Sequence, residues 1–138
     1  MFSHVCVGVS DFERALAFYD PLMAALDIER RFCDRGRPGA GWQTRGGPRP
    51  LSLIGAPYDG QPSQAGNGNM VAFQAASRAM VHKAYDVALA CGGTPDGEPG
   101  LRPQYHADYC GAYFRDPDGN KLCVVCHAAQ AQESTAEP

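Results

Sequence analysis

The first half of the chain carries one helical pattern of apolar positions between short strand-like runs. Residues 3–9 are rich in β-branched residues and predict a strand. Ser10, with Glu13 three positions later, forms a capping box that predicts a helix start. The apolar face of this helix, at helical spacing, consists of Phe12, Leu16, Tyr19 and Met23. Pro21 falls inside the pattern and predicts a kink or an early end. Extended segments are predicted next, at IERRF, AGWQTR and LSLIG.

The second half of the chain repeats this order of patterns. NMVAFQA predicts a strand, and Ser77 is a candidate cap for the helix that follows. The predicted apolar face of that helix consists of Met80, Ala84, Val87 and Cys91. Gly92-Gly93 predicts its end. Extended segments are predicted at YHADY, GAYFRD and, after a DPDGN turn, KLCVVC.

Fixed offsets relate the two halves. Tyr19-Asp20 recurs 66 positions later as Tyr85-Asp86, and the same shift carries His4 onto Met70. Arg45 and Arg115 are 70 apart, and that shift carries Leu53 onto Cys123. The offsets indicate an internal repeat.

The repeat predicts an α+β fold of two tandem βαβββ modules. They span residues 1–57 and 69–127, with a linker at 58–68 and a disordered tail at 128–138. One helix covers only one face of its sheet, so the strands should form a curved mixed sheet around a central cavity, where a ligand would bind.

Composition narrows the possible partners. Of the 138 residues, 44% are hydrophobic and 20% charged, as in ordinary globular domains. The net charge is −3 without a basic stripe, so neither nucleic acid nor a membrane surface is an expected partner. The first residues lack the basic and apolar segments of a secretory signal, which predicts a cytoplasmic protein. The 6 cysteines are therefore expected to be reduced.

The strand, helix and turn segments together resemble one known family. SHVCVGVSDFERALAFYDPLMAAL, GNGNMVAFQA and YHADYCGAYFRDPDGNKLCVVCH are similar to segments of the vicinal oxygen chelate superfamily, and the DPDGN turn is the most specific of these elements. The superfamily includes glyoxalase I, bleomycin-resistance proteins and extradiol dioxygenases. The likeness covers about residues 2–127.

The resemblance implies positions for metal ligands. In metal-dependent members, the first and last strands of each module each supply a His, Glu or Gln to a divalent cation such as Ni, Mn, Fe or Zn. His4 matches the first position. The others carry Leu53 (or Ser52 if the register slips by one), Met70 and Cys123, which are not usual ligands. We therefore expect no resident metal, although the resemblance leaves a divalent metal possible.

The CVVC segment contains two cysteines three positions apart. Residues i and i+3 of a strand point to opposite faces, so Cys123 should face the cavity while Cys126 packs toward the helix. They should not share a metal or a disulfide. His4 and Cys123 are candidate catalytic residues. They could form a thiolate–imidazolium pair or, with Met70, a soft metal site. The alternative is that Cys123 is a neutral buried thiol.

A second group of candidates precedes the final hairpin. The expected ligand pocket consists of Trp42, Met70, Tyr105, His106, Tyr109 and Tyr113, because aromatic walls with polar tips suit a small organic ligand. The alternative is a surface loop with two packed tyrosines. His82 and His127 are expected to lie in solvent.

The function predicted is that of a glyoxalase-, bleomycin-resistance- or dioxygenase-like protein. It would bind a small organic molecule in the inter-module cavity after losing most of the usual metal centre. The alternative is an active metal-dependent lyase or dioxygenase with a non-standard ligand set. A homodimer is expected, because each module leaves one sheet face uncovered.

Overall fold

A computed structural model describes residues 1–130 of the chain, so residues 131–138 of the expected disordered tail lie outside the described part. The first module contains β1 (His4–Gly8), α1 (Phe12–Ala25), β2 (Ile28–Asp34), β3 (Gly39–Thr44) and β4 (Leu51–Gly55). The second contains β5 (Val71–Gln74), α2 (Arg78–Ala90), β6 (Thr94–Leu101), β7 (Cys110–Arg115) and β8 (Lys121–Cys126).

Both modules have the same sheet topology. The strand orders are β1-β4-β3-β2 and β5-β8-β7-β6, with β1 parallel to β4 and β5 parallel to β8. The α+β class and the two tandem βαβββ modules are thus confirmed, and the strands form two four-stranded sheets. Cys6 pairs with Leu53, and Ala72 pairs with Cys123, so the offsets of 66 and 70 describe equivalent positions in the two sheets.

Helix α1 begins and ends differently from the prediction. Asp11, not Ser10, is its N-cap, and the Asp11 side chain accepts a hydrogen bond from the Arg14 amide. Ser10 instead donates to Asp118 in the second module. The helix continues past Pro21 to Ala25, because Leu22 and Met23 are fully buried in the core and hold the last turn in place.

Helix α2 is capped by Ser77 as predicted, but it buries a different face. The Ser77 hydroxyl accepts a hydrogen bond from the Met80 amide at 3.1 Å. The buried residues are Val81, Ala84, Tyr85 and Ala88, whereas Val87 and Cys91 are only partly buried. The two helices share one core, in which Phe18 of α1 packs edge-on against Phe114 of β7.

The prediction for the segment before β7 was wrong. YHADY is not extended but belongs to a series of turns, and strand β6 lies before it at Thr94–Leu101. β6 contains two prolines and two glycines, and it tolerates them because it is an edge strand whose pairing with β7 shifts register near Gly97 and Gly100.

The DPDGN turn joins the two modules. Asp116 is buried and accepts hydrogen bonds from the Tyr19 hydroxyl (2.7 Å), the Asp118 and Asn120 amides, and the Asn120 side chain. Asn120 also donates to the Gly8 carbonyl. The turn therefore has a structural role. Among residues 1–130, no helix has the length and apolarity needed to cross a membrane.

Candidate functional site

Five of the residues expected in the ligand pocket line one cavity. The turns after β6 fold over the sheet face that α2 does not cover and enclose about 670 Å³. We call it the tyrosine–histidine cavity; its walls include Met70, Tyr105, His106, Tyr109 and Tyr113. All its lining residues lie within 66–70 and 105–127, so it is built by the linker end and the second module. A separate cavity of about 530 Å³ lies between the modules, where one was predicted, and is lined by strands of both.

Two glycines make room for the tyrosine rings. A Cβ atom at Gly111 would lie 2.8 Å from Cε1 of Tyr109, and one at Gly97 would lie 3.0 Å from Cδ2 of Tyr113. Carbon atoms in ordinary contact are about 3.5–4.0 Å apart. The absence of both side chains therefore allows the rings to lie this close to the strands.

The two phenols and Cys123 form a hydrogen-bonded group. The Tyr109 and Tyr113 hydroxyls are 2.9 Å apart, and the Tyr109 hydroxyl is 3.7 Å from the Cys123 sulfur. Burial raises the pKa of Tyr109 and of Tyr113, so both stay protonated near neutral pH. Burial also raises the pKa of Cys123, and this favours a neutral thiol. The hydrogen bond from Tyr109 lowers the pKa, but burial has the larger effect.

A histidine pair forms the outer part of the cavity. Nε2 of His106 and Nδ1 of His127 are 2.9 Å apart, and the two rings are stacked. Both imidazoles also contact the edge or face of the Tyr109 ring. His127 was expected to lie in solvent; it is exposed, yet it lines the cavity because it directly follows β8 and faces the turn that carries His106.

His4, Cys123 and Trp42 do not join the cavity walls. His4 is exposed, and its Nδ1 is hydrogen-bonded to the Ser3 hydroxyl at 2.9 Å. Cys123 is fully buried beneath Tyr109. Trp42 is a core residue, 1% exposed, with its ring 6.0 Å from that of Tyr19. It packs beside Ala40 and also lines a separate cavity of about 530 Å³, whose walls include Met70 and residues of β1, β4 and β5.

Cys123 and Cys126 are both buried but lie in different surroundings. Cys126 belongs to the core cluster with Leu122 and Val124, and Cys123 does not. This placement agrees with the opposite faces expected for residues i and i+3 of a strand. None of the six cysteines forms a disulfide.

The four family ligand positions do not fit a hard divalent cation. They carry one imidazole, a leucine, a thioether and a thiol whose protonated form is favoured by burial. Within the described residues, no group of three or more His, Cys, Asp or Glu side chains is arranged to hold a metal ion. These residues therefore do not fit the divalent metal centre of the metal-dependent members.

Comparison with known proteins places these features in context. A family model, the Glyoxalase/Bleomycin resistance protein/Dioxygenase superfamily, matches residues 1–124. The crystal structure of a glyoxalase/bleomycin resistance protein from Albidiferax ferrireducens T118 is 36% identical, with 91% of this chain and 98% of that chain covered and a TM-score of 0.81. No curated protein matches the chain.

More distant structures share the fold alone. A glyoxalase/bleomycin resistance protein/dioxygenase family enzyme from Burkholderia phytofirmans PsJN is 19% identical, over 91% of this chain and 98% of that chain, with a TM-score of 0.70. A lactoylglutathione lyase from Agrobacterium tumefaciens is 18% identical, over 91% and 92%, with a TM-score of 0.62.

Proposed function

Because the chain belongs to the glyoxalase/bleomycin resistance protein/dioxygenase superfamily, we propose that it binds a small organic molecule in the tyrosine–histidine cavity, without the divalent metal centre of metal-dependent members. The observation that carries the proposal is the convergence of Tyr105, His106, Tyr109 and Tyr113 on one cavity. Its volume of about 670 Å³ falls in the range of small-molecule sites, and phenol and imidazole walls offer both apolar contact and hydrogen bonds.

The contacts favour binding over catalysis by His4 and Cys123. A nucleophilic cysteine needs a stabilised thiolate, usually beside a cation. The hydrogen-bond neighbour of Cys123 is the neutral Tyr109, and burial raises the pKa of the thiol. The cations that lower this pKa are Arg102 and Lys121, not His4, and burial outweighs them. A metal-dependent lyase or dioxygenase would require ligands other than those at the family positions.

We also propose that the protein is a homodimer in the cytoplasm. The uncovered face of the first sheet carries Phe32, which is 43% exposed, beside the partly buried Leu53. Burial of such an apolar face against a second copy would remove it from water.

Ligand-observed NMR with neutral aromatic amides and alcohols tests the proposal. We expect at least one fragment to bind the wild type with a Kd below about 1 mM, a free energy of about −4 kcal/mol. Binding should be lost in Tyr109→Ala and kept in Tyr58→Ala, because Tyr58 is a fully exposed tyrosine outside the cavity. Binding that survives Tyr109→Ala, or failure of these fragments together with their charged analogues, would contradict the proposal.

Elemental analysis tests the metal-free part of the proposal. The purified protein should carry well under one equivalent of Ni, Mn, Fe or Zn per chain, because Leu53, Met70 and Cys123 replace the usual ligands. Stoichiometric metal that is lost in His4→Ala would show that the family centre is retained.

A further inference from the structure

The tyrosine–histidine cavity presents hydrogen-bond donors and positive charge but no carboxylate. Besides the phenols and imidazoles, its lining includes the side chains of Asn67, Asn69, Arg115 and Lys121. No Asp or Glu of the described residues is part of the lining. This composition differs from that of the whole chain, whose net charge is −3. We propose that the ligand is a small organic anion, an aromatic or apolar body that carries a carboxylate or phosphate; this rests on the proposed binding function.

One carboxylate only partly neutralises the two cations. Oδ2 of Asp96 lies 3.3 Å from Nε of Arg115 and 3.4 Å from Nζ of Lys121. Two positive groups that share one negative group leave one positive charge at this edge of the cavity. All three side chains are about one third or more exposed, so these ion pairs are weak and leave the cations available.

Lys121 is the better placed of the two cations. Arg115 is also held by its hydrogen bond to the Gly119 carbonyl at 3.0 Å. The Lys121 ammonium instead lies 5.5 Å from the centroid of the Tyr113 ring, with Asp96 as its anionic neighbour. An ammonium at the rim next to a phenol can contact the anionic end of a ligand while the ring contacts its body.

The phenols supply a further donor to the anion. Only one hydrogen is used in the bond between the Tyr109 and Tyr113 hydroxyls, and the other is available to a ligand oxygen or to the Cys123 sulfur. Because burial raises both pKa values, the phenols remain donors near neutral pH. A hydrogen bond to a charged acceptor is about twice as strong as one between neutral groups.

The remaining walls suit the apolar part of the ligand. Tyr105 is 62% exposed, with its ring centroid 4.9 Å from that of Tyr109, and Met70 is 45% exposed. An aryl or alkyl group of the ligand that covers these exposed side chains would remove apolar surface from water and so favour binding.

Isothermal titration calorimetry with three probes of matched shape and different charge tests the inference. Benzoate, benzamide and benzamidine carry charges of −1, 0 and +1. We expect benzoate to bind about tenfold or more tightly than benzamide and benzamidine to bind least tightly. The advantage of benzoate should shrink as salt is raised, because exposed charges are screened. Phenyl phosphate is titrated in parallel. Tighter binding of phenyl phosphate than of benzoate would indicate a phosphate site, and the reverse a carboxylate site.

The chain contains only two lysines, which provide a matched pair of variants. Lys121→Met should lower the affinity for benzoate about tenfold and that for benzamide much less, so the preference for the anion should fall. Lys83→Met, on the exposed face of α2, should change neither. If benzamide binds as tightly as benzoate, or Lys121→Met does not reduce the preference, the anion inference is wrong and the binding function stands. If neither these probes nor the neutral fragments bind, both proposals are wrong.

Discussion

A single added methyl group should disturb the cavity without touching any polar group. Gly111 lies on β7 beneath the Tyr109 ring, and a Cβ atom there would lie 2.8 Å from Cε1 of that ring. Ordinary carbon contacts begin at about 3.5 Å, so in Gly111→Ala the ring has to move by about 0.7 Å. A shift of this size along the bond would lengthen the 2.9 Å separation of the Tyr109 and Tyr113 hydroxyls beyond hydrogen-bond distance.

The expected cost in stability is moderate. Overpacking costs about 1–3 kcal/mol. Replacing glycine by alanine returns about 0.4–1 kcal/mol by restricting the unfolded chain. The net loss in the free energy of unfolding should therefore be about 0–2.5 kcal/mol, while binding of the tightest aromatic probe should weaken about tenfold as Tyr109 leaves its position.

Two other glycines separate the effect on binding from the effect on stability. Gly41→Ala places a Cβ atom 2.5 Å from the Phe32 ring and 2.6 Å from Leu53, so it should destabilise the first module comparably without changing binding. Gly47→Ala has no neighbour closer than 3.8 Å, so it should leave binding unchanged and raise the free energy of unfolding by about 0.4–1 kcal/mol. Thermal unfolding by circular dichroism and calorimetric titration measure the two quantities. Equal binding by Gly111→Ala and wild type would refute the role assigned to Tyr109.

Three further predictions concern the core, the thiols and the assembly. Tyr19→Phe should lower the free energy of unfolding by about 1.5–3 kcal/mol in a urea titration, because it removes a buried hydrogen bond to Asp116. Burial raises the pKa of Tyr19, so its contribution is present below about pH 10 and is lost as pH rises above that value; the loss should be smaller in Tyr19→Phe. Cys123 should alkylate more slowly near neutral pH than the exposed Cys6, as followed by peptide mass spectrometry, and faster reaction would restore the nucleophile hypothesis. Light scattering should give a dimer mass at micromolar concentration, and a monomer mass throughout would contradict the assembly.

The internal repeat made most of the fold predictable, and the main element that was missed is the edge strand β6. Offsets between distant residue pairs located equivalent positions without knowledge of any contact, and the registers of β1 with β4 and of β5 with β8 agree with them. β6 was missed because its prolines and glycines are typical of loops. An edge strand needs only one hydrogen-bonded neighbour, so it accepts residues that an inner strand would not.

The site was predictable where the residues are close in sequence. Tyr105, His106 and Tyr109 lie within one turn-rich segment, and their common cavity follows from that proximity. His127 was missed because its partner His106 is 21 positions away and no pattern links them. Trp42 lines the separate cavity between the modules and not the one formed by the tyrosines, because it lies on β3 of the first module.

Both modules place a glycine beneath an aromatic ring, but the resulting sheet faces differ in chemistry. Gly41 of β3 and Gly111 of β7 lie on corresponding strands, two residues out of register, and each lies beneath an aromatic ring. In the first module the ring is Phe32, packed with Leu53, and the resulting face is apolar. In the second module the ring is Tyr109, and Cys123 stands at the position equivalent to Leu53, so a hydroxyl and a thiol replace hydrocarbon. An apolar face gains most from burial against another protein surface, whereas a face with phenols, imidazoles and an ammonium gains from a ligand with both apolar and charged parts. The difference in chemistry between two equivalent faces therefore favours assembly through the first module and ligand binding through the second.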